Sequence, residues 1–195
     1  MCAVSARDST SCCKLRSYKH RGTPSNISII NAVRASWASP GLFTSVLEGP
    51  SNFREEFIGG DLAFANPTRE AIKEAYIHFG PRRQVGHIIS IGCGFSRGIG
   101  SGADQYFSDS QRVALDLNDQ LGESGVYHRY GIPTFQGPAY TLGINTVDQI
   151  VGETKIYLRS IDKVLDECTI DLSEHVSVTT ESLCEFIPST EVAKY

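Results

Sequence analysis

A chain of 195 residues with 41% apolar and 21% charged side chains can enclose one ordinary hydrophobic core, which excludes disorder of the whole chain. A net charge of -4 and short basic clusters, Lys14 to Arg21 and Arg82-Arg83, exclude a basic footprint for nucleic acid or a strongly anionic membrane. The six cysteines form no Cys-x-x-Cys pair and have no histidine at ligand spacing, which argues against zinc, and no cofactor motif stands out.

In chain order, 1–6 is apolar and small and predicts a strand. An acid and a base, Asp8 and Arg7, stand where a signal peptide needs its apolar stretch. Residues 8–14 are polar and turn-like, and 15–18 predict a short strand. Pro24-Ser25-Asn26 supplies turn and N-cap chemistry for a short helix whose face is Ile30, Val33 and Trp37, ending before Pro40. Residues 41–52 read as loop and short strand. Asn66 is a natural N-cap with Pro67 at the first helical position, and Ala71, Ile72, Ala75, Tyr76 and Phe79 predict the buried stripe of a helix closed by Gly80-Pro81.

Residues 85–93 form a nearly continuous apolar run, as expected of a strand covered on both faces. Strand, helix and strand in this order imply a crossover within one α/β sheet. Residues 98–110 are glycine-rich and read as loop, Val113, Leu117 and Leu121 mark a second helix, and 127–134 an extended segment. From Thr146 to Cys168 an unbroken pattern through Val147, Ile150, Val151, Thr154, Tyr157, Leu158, Ile161 and Leu165 predicts one amphipathic helix, while 170–195 reads as short helix or tail. No run approaches the roughly 18 apolar residues of a membrane span. Adjacent Cys12 and Cys13, with Cys93 in an apolar run, fit reduced thiols in an intracellular protein, cytoplasmic or peripheral to membranes.

Three ordered motifs carry a family resemblance. Met1-Cys2-Ala3-Val4 leads to Arg16-Ser17-Tyr18; Ile30 to Pro40 contains Ala35-Ser36-Trp37-Ala38-Ser39-Pro40, followed by Phe43; and Phe57-Ile58-Gly59-Gly60-Asp61 runs through an apolar stretch into Asn66-Pro67, with Ile89-Ser90-Ile91-Gly92-Cys93-Gly94 downstream. This series resembles patatin-like lipid acyl hydrolases, of fungal type, over most of the chain. The resemblance implies a partial three-layer α/β fold with a mainly parallel sheet flanked by helices over 1–110, and a helical C-terminal part over 111–195 packed on it.

It also implies hydrolysis of acyl esters of phospholipids or neutral lipids by a Ser-Asp dyad with no histidine. In that family the Gly-x-Ser-x-Gly elbow and the oxyanion loop lie upstream of the strand matched by Met1, so the chain as given is expected to be inactive. The alternative is a non-catalytic module for lipid contact, peripheral on a membrane, or for protein interaction. With Pro67 on the family's proline, the dyad aspartate falls on Gly59, and the nearby acid is Asp61. Two residues along a strand is a displacement of about 6.5 Å, beyond the reach of a proton-accepting base.

Gly94-Phe95-Ser96-Arg97-Gly98 matches Gly-x-Ser-x-Gly by letter, making Ser96 a candidate nucleophile. An elbow must enter a helix at once, whereas Ile99-Gly100-Ser101-Gly102 follows, so a glycine-rich loop is the better reading. Gly98-x-Gly100-x-x-Ala103 is an equally weak dinucleotide fingerprint. The histidines have no motif spacing, and His87 reads as a hydrogen-bonded strand residue.

Overall fold

Strand β1 (Cys2–Ser5) reverses at Ala6-Arg7 and pairs antiparallel with β2 (Asp8–Lys14), Cys2 facing Lys14 and Ser5 facing Asp8. So short a turn permits nothing but antiparallel pairing. The computed structural model describes residues 1–18, 27–92, 103–132, 144–173 and 182–187. These fall into two compact units, one of Met1–Glu70 with Gln105–Gln111, the other of Ala71–Asp104 with Arg112–Tyr195.

In the first unit, helix α1 (Ile29–Trp37) precedes β3 (Val46–Glu48) and β4 (Glu55–Gly59), and the sheet order is β2-β1-β4-β3, antiparallel throughout. The molecule is mixed α/β, but this sheet is not the mainly parallel one expected. The β2 strand replaces the expected turn at 8–14, and 15–18 forms no strand. Ser28 caps α1 by accepting from the Asn31 N–H at 3.1 Å, whereas the expected cap at Pro24-Ser25-Asn26 lies outside the described residues. The buried face of α1 is also different. Ala32 and Ala35 pack with Ala3, Leu15, Val46 and fully buried Phe57, while Ile29, Ile30 and Trp37 are exposed. Small side chains let the helix backbone approach the sheet, and burying the Phe57 ring contributes about 1.5–3 kcal/mol.

β4 runs into α2 (Asp61–Phe64) and then α3 (Thr68–Phe79). Asn66 Oδ1 accepts from the Thr68 N–H at 3.3 Å and from its hydroxyl at 2.7 Å, the expected cap. Gly80 closes α3 at φ +85°, its N–H donating to the Tyr76 carbonyl at 2.9 Å. Of the expected stripe, Ile72 is buried and Ala75 and Tyr76 pack beside it, but Ala71 and Phe79 are exposed.

In the second unit, β5 (Ile88–Gly92) pairs parallel with β6 (Tyr127–Gly131), Ile88 facing Tyr127 and Gly92 facing Gly131. The expected crossover from β4 through α3 to β5 within one sheet is therefore not formed. The crossover is β5 to β6 and includes α4 (Ala103–Leu121), which begins inside the stretch read as loop. Nor is β5 covered on both faces, since Ser90 is buried while Ile91 is 81% exposed.

Helices α5 (Ile144–Ser160) and α6 (Asp162–Ser173) replace the single expected helix. At the break the Ser160 hydroxyl donates to the Tyr157 carbonyl at 2.6 Å, competing with the helical ladder. Leu117, Leu121, Val126 and Tyr127 form the core with Leu183 and Phe186 of a C-terminal 3-10 turn, Leu183–Phe186, and with Ile187 that follows it. That turn is held by Leu183 N–H to Arg83 O at 3.0 Å and Cys184 N–H to Pro81 O at 3.1 Å. Among the described residues no helix is long and apolar enough to cross a membrane.

Candidate functional site at the end of strand β4

Three local features converge where β4 ends. The Gly59 N–H donates to the Ala38 carbonyl at 2.9 Å, which fastens the strand end to the residue after α1. The chain then leaves the extended conformation, because Gly60 is helical at φ -75° and precedes α2. Asp61, first residue of α2, folds its carboxylate back over Gly59, and Oδ2 accepts from the Ser39 hydroxyl.

The space above Gly59 belongs to this carboxylate. A Cβ built on Gly59 would meet Asp61 Oδ1 at 2.6 Å, the Ser39 nitrogen at 3.1 Å and the Ala38 carbonyl carbon at 3.2 Å. A strand continued past Gly59 would have carried residue 61 away by about 6.5 Å. The turn into α2 cancels that displacement, so Asp61 presents its acid where a side chain on residue 59 would begin. The helical backbone at Gly60, not an extended strand, sets the position of the Asp61 carboxylate.

Ser39 is set by the end of α1. Its N–H donates to the Trp37 carbonyl at 2.7 Å, and its carbonyl accepts from Phe43 at 3.0 Å and Leu42 at 3.1 Å. Chemically, the arrangement is a carboxylate accepting a hydrogen bond from a serine hydroxyl without an intervening imidazole. Asp61 is exposed and Ser39 half-buried. Nothing in the sequence spacing of Ser39 links it to residue 61.

Ser96 lies outside the described residues, as does the glycine-rich stretch around it. His87 meets His128 beside the β5–β6 ladder, Nδ1 to Nε2 at 3.3 Å. Among the described residues no group of three His, Cys, Asp or Glu side chains is placed to hold a metal ion. Comparison of the chain with protein families, curated proteins and solved structures found no match.

Proposed function

We propose that this chain is the acid-bearing portion of a patatin-like lipid acyl-hydrolase domain, with Asp61 standing in for the family's aspartate at Gly59. The observation that supports the reading is the Asp61 carboxylate lying 2.6 Å from where a Gly59 Cβ would be, in contact with a serine hydroxyl. The complete domain would hydrolyse fatty-acyl esters of phospholipids or neutral lipids at a membrane surface. Its nucleophile elbow and oxyanion donors would come from the region that precedes β1 in the family. The chain as given then acts without ester hydrolysis, because it holds no counterpart of that upstream elbow and oxyanion loop.

A compensation cycle tests the positional equivalence. Gly59→Asp should destabilise the fold by steric contact and like-charge repulsion with Asp61, and Asp61→Gly should release Ser39. The double variant Gly59→Asp/Asp61→Gly should recover at least half of the loss seen in Gly59→Asp. A double variant less stable than Gly59→Asp would refute the equivalence. Incubation of the purified chain with a fluorophosphonate and a chromogenic acyl ester should give neither label nor turnover. Label abolished by Ser96→Ala or by Ser39→Ala would identify a working nucleophile and overturn the inactive reading.

A further inference from the structure

The β1–β2 hairpin places two thiols side by side. Cys2 pairs with Lys14 and Val4 with Cys12, so Cys2 and Cys12 are diagonal neighbours on one face, while Cys13, opposite Ala3, faces the other way into the core. Diagonal neighbours stand about 7–8 Å apart, farther than opposed ones, so closing the pair takes a small adjustment of the hairpin. Both are half-buried and reduced. On the other flank of β1, a Cβ on Gly60 would meet the Cys2 carbonyl oxygen at 3.1 Å and its Cβ at 3.4 Å, so the pair adjoins the Gly59-Gly60-Asp61 turn. The groups acting on Cys2 include Cys12 and Lys14 of β2 and Glu70 of α3, which pairs with Lys14 at 3.1 Å.

We propose that Cys2 and Cys12 form a reversible thiol-oxidation site that reacts with small-molecule disulfides and closes into a Cys2–Cys12 disulfide. The Cys2 thiolate attacks one sulfur of R–S–S–R; a Cys2–S–S–R bond forms, the original S–S bond breaks, and RS⁻ leaves. Cys12 then attacks the Cys2 sulfur and expels the second RS⁻. The two cysteines lose two electrons, R–S–S–R gains them, and the two thiol protons pass to the departing thiolates.

The division of labour follows from the surroundings. The hydrogen bond from Cys12 brings the Cys2 thiol down to about 7 against the upward push of burial, and the same bond, with burial, holds Cys12 protonated. Once Cys2 is a mixed disulfide, the charge that kept the proton on Cys12 is gone, and Cys12 can act as the resolving thiol. Burial also raises Cys13. At pH 7 a thiol near 7 holds roughly 50 times the thiolate of one near 9, and its lower intrinsic nucleophilicity reduces the advantage to about fivefold.

The test is exposure of the full chain to glutathione disulfide at pH 7, followed by peptide mapping by mass spectrometry. The expected product is a Cys2–Cys12 cross-linked peptide, reversed by reduced glutathione, with Cys2 consumed about fivefold faster than a free cysteine peptide. Cys12→Ser should stop at glutathione on Cys2, and Cys2→Ser should give no intramolecular disulfide, with Cys12 modified more slowly than Cys2 is in the unsubstituted chain because burial still raises it. A Cys12–Cys13 cross-link, or Cys13 or Cys184 reacting ahead of Cys2, would overturn the proposal. The unsubstituted chain decides these last outcomes even if a variant fails to fold.

Discussion

His87 Nδ1 and His128 Nε2 lie 3.3 Å apart, so one hydrogen serves both nitrogens. In the tautomer that carries its hydrogen on His128 Nδ1, the His128 Nε2 accepts from His87. That tautomer leaves His87 Nε2 buried with no hydrogen-bond partner among the described residues. A proton taken up at His128 Nε2 displaces the hydrogen shared with His87, with Tyr130 stacked 6.4 Å from His128 and Asp171 the acid acting on it.

Burial and then His87 hold His128 below the usual histidine range, outweighing Asp171 and a bond to the Gly125 backbone. The unfolded chain therefore takes up this proton at higher pH than the folded one, and acidification favours unfolding. Urea midpoints should fall as pH drops below about 6.5, until the folded-state value is passed. His128→Gln should flatten that slope; an unchanged slope in the variant would remove His128 from the account.

Asn66 joins three bonds at one buried point, accepting twice from Thr68 and donating through Nδ2 to the Ser110 carbonyl at 3.2 Å. Asn66→Ala should cost about 2–3 kcal/mol in chemical denaturation, combining a lost helix cap with a lost buried bond. Asn66→Asp retains the cap acceptor and faces the Ser110 carbonyl with a carboxylate, so its loss should be comparable. A loss below about 0.5 kcal/mol in the alanine variant would mean that water replaces the side chain.

Gly92 gives room to the Arg129 guanidinium, which donates to buried Ser90 at 2.7 Å. A Cβ on Gly92 would come within 2.8 Å of the guanidinium carbon. Gly92→Ala should therefore displace Arg129 and cost about 1–2 kcal/mol, and much less in an Arg129→Ala background. Additive effects across that double-mutant cycle would show that the alanine acts elsewhere.

The C-terminal turn contributes to the core of the second unit. Phe186→Ala should destabilise by about 3–5 kcal/mol, as for a buried aromatic truncated to a cavity. A chain ending at residue 181 should bind a hydrophobic dye and lose its sharp near-ultraviolet dichroism. Retention of both native signatures would show that Leu117 and Val126 repack without it.

Elements with strong local grammar were legible: β1, the Asn66-Pro67 start of α3, its Gly80 stop, the β5 run, and the Val113–Leu121 stripe. The β2 strand was not, because it lies at a sheet edge and Asp8 to Ser11 are exposed, leaving no apolar alternation to read. In α1 the larger side chains suggested the wrong face, since close packing used alanine. At the candidate site the backbone turn after Gly59 was not legible. The displacement assumed an extended backbone after Gly59, whereas Gly60 is helical. Ser39 and the Cys2–Cys12 pair depend on contacts between distant positions, which periodicity along the chain does not encode.

The pairing of β1 with β2 closes over two residues, whereas β5 cannot meet β6 until 93–126 have been drawn in. Loop-closure entropy therefore separates the two sheets in time. In a refolding experiment followed by pulsed hydrogen exchange, amides of 2–14 should gain protection first, and those of 88–92 and 127–131 should follow. Until they do, the apolar run of β5 is open to other chains, so refolding yield should decline with protein concentration in step with that later phase.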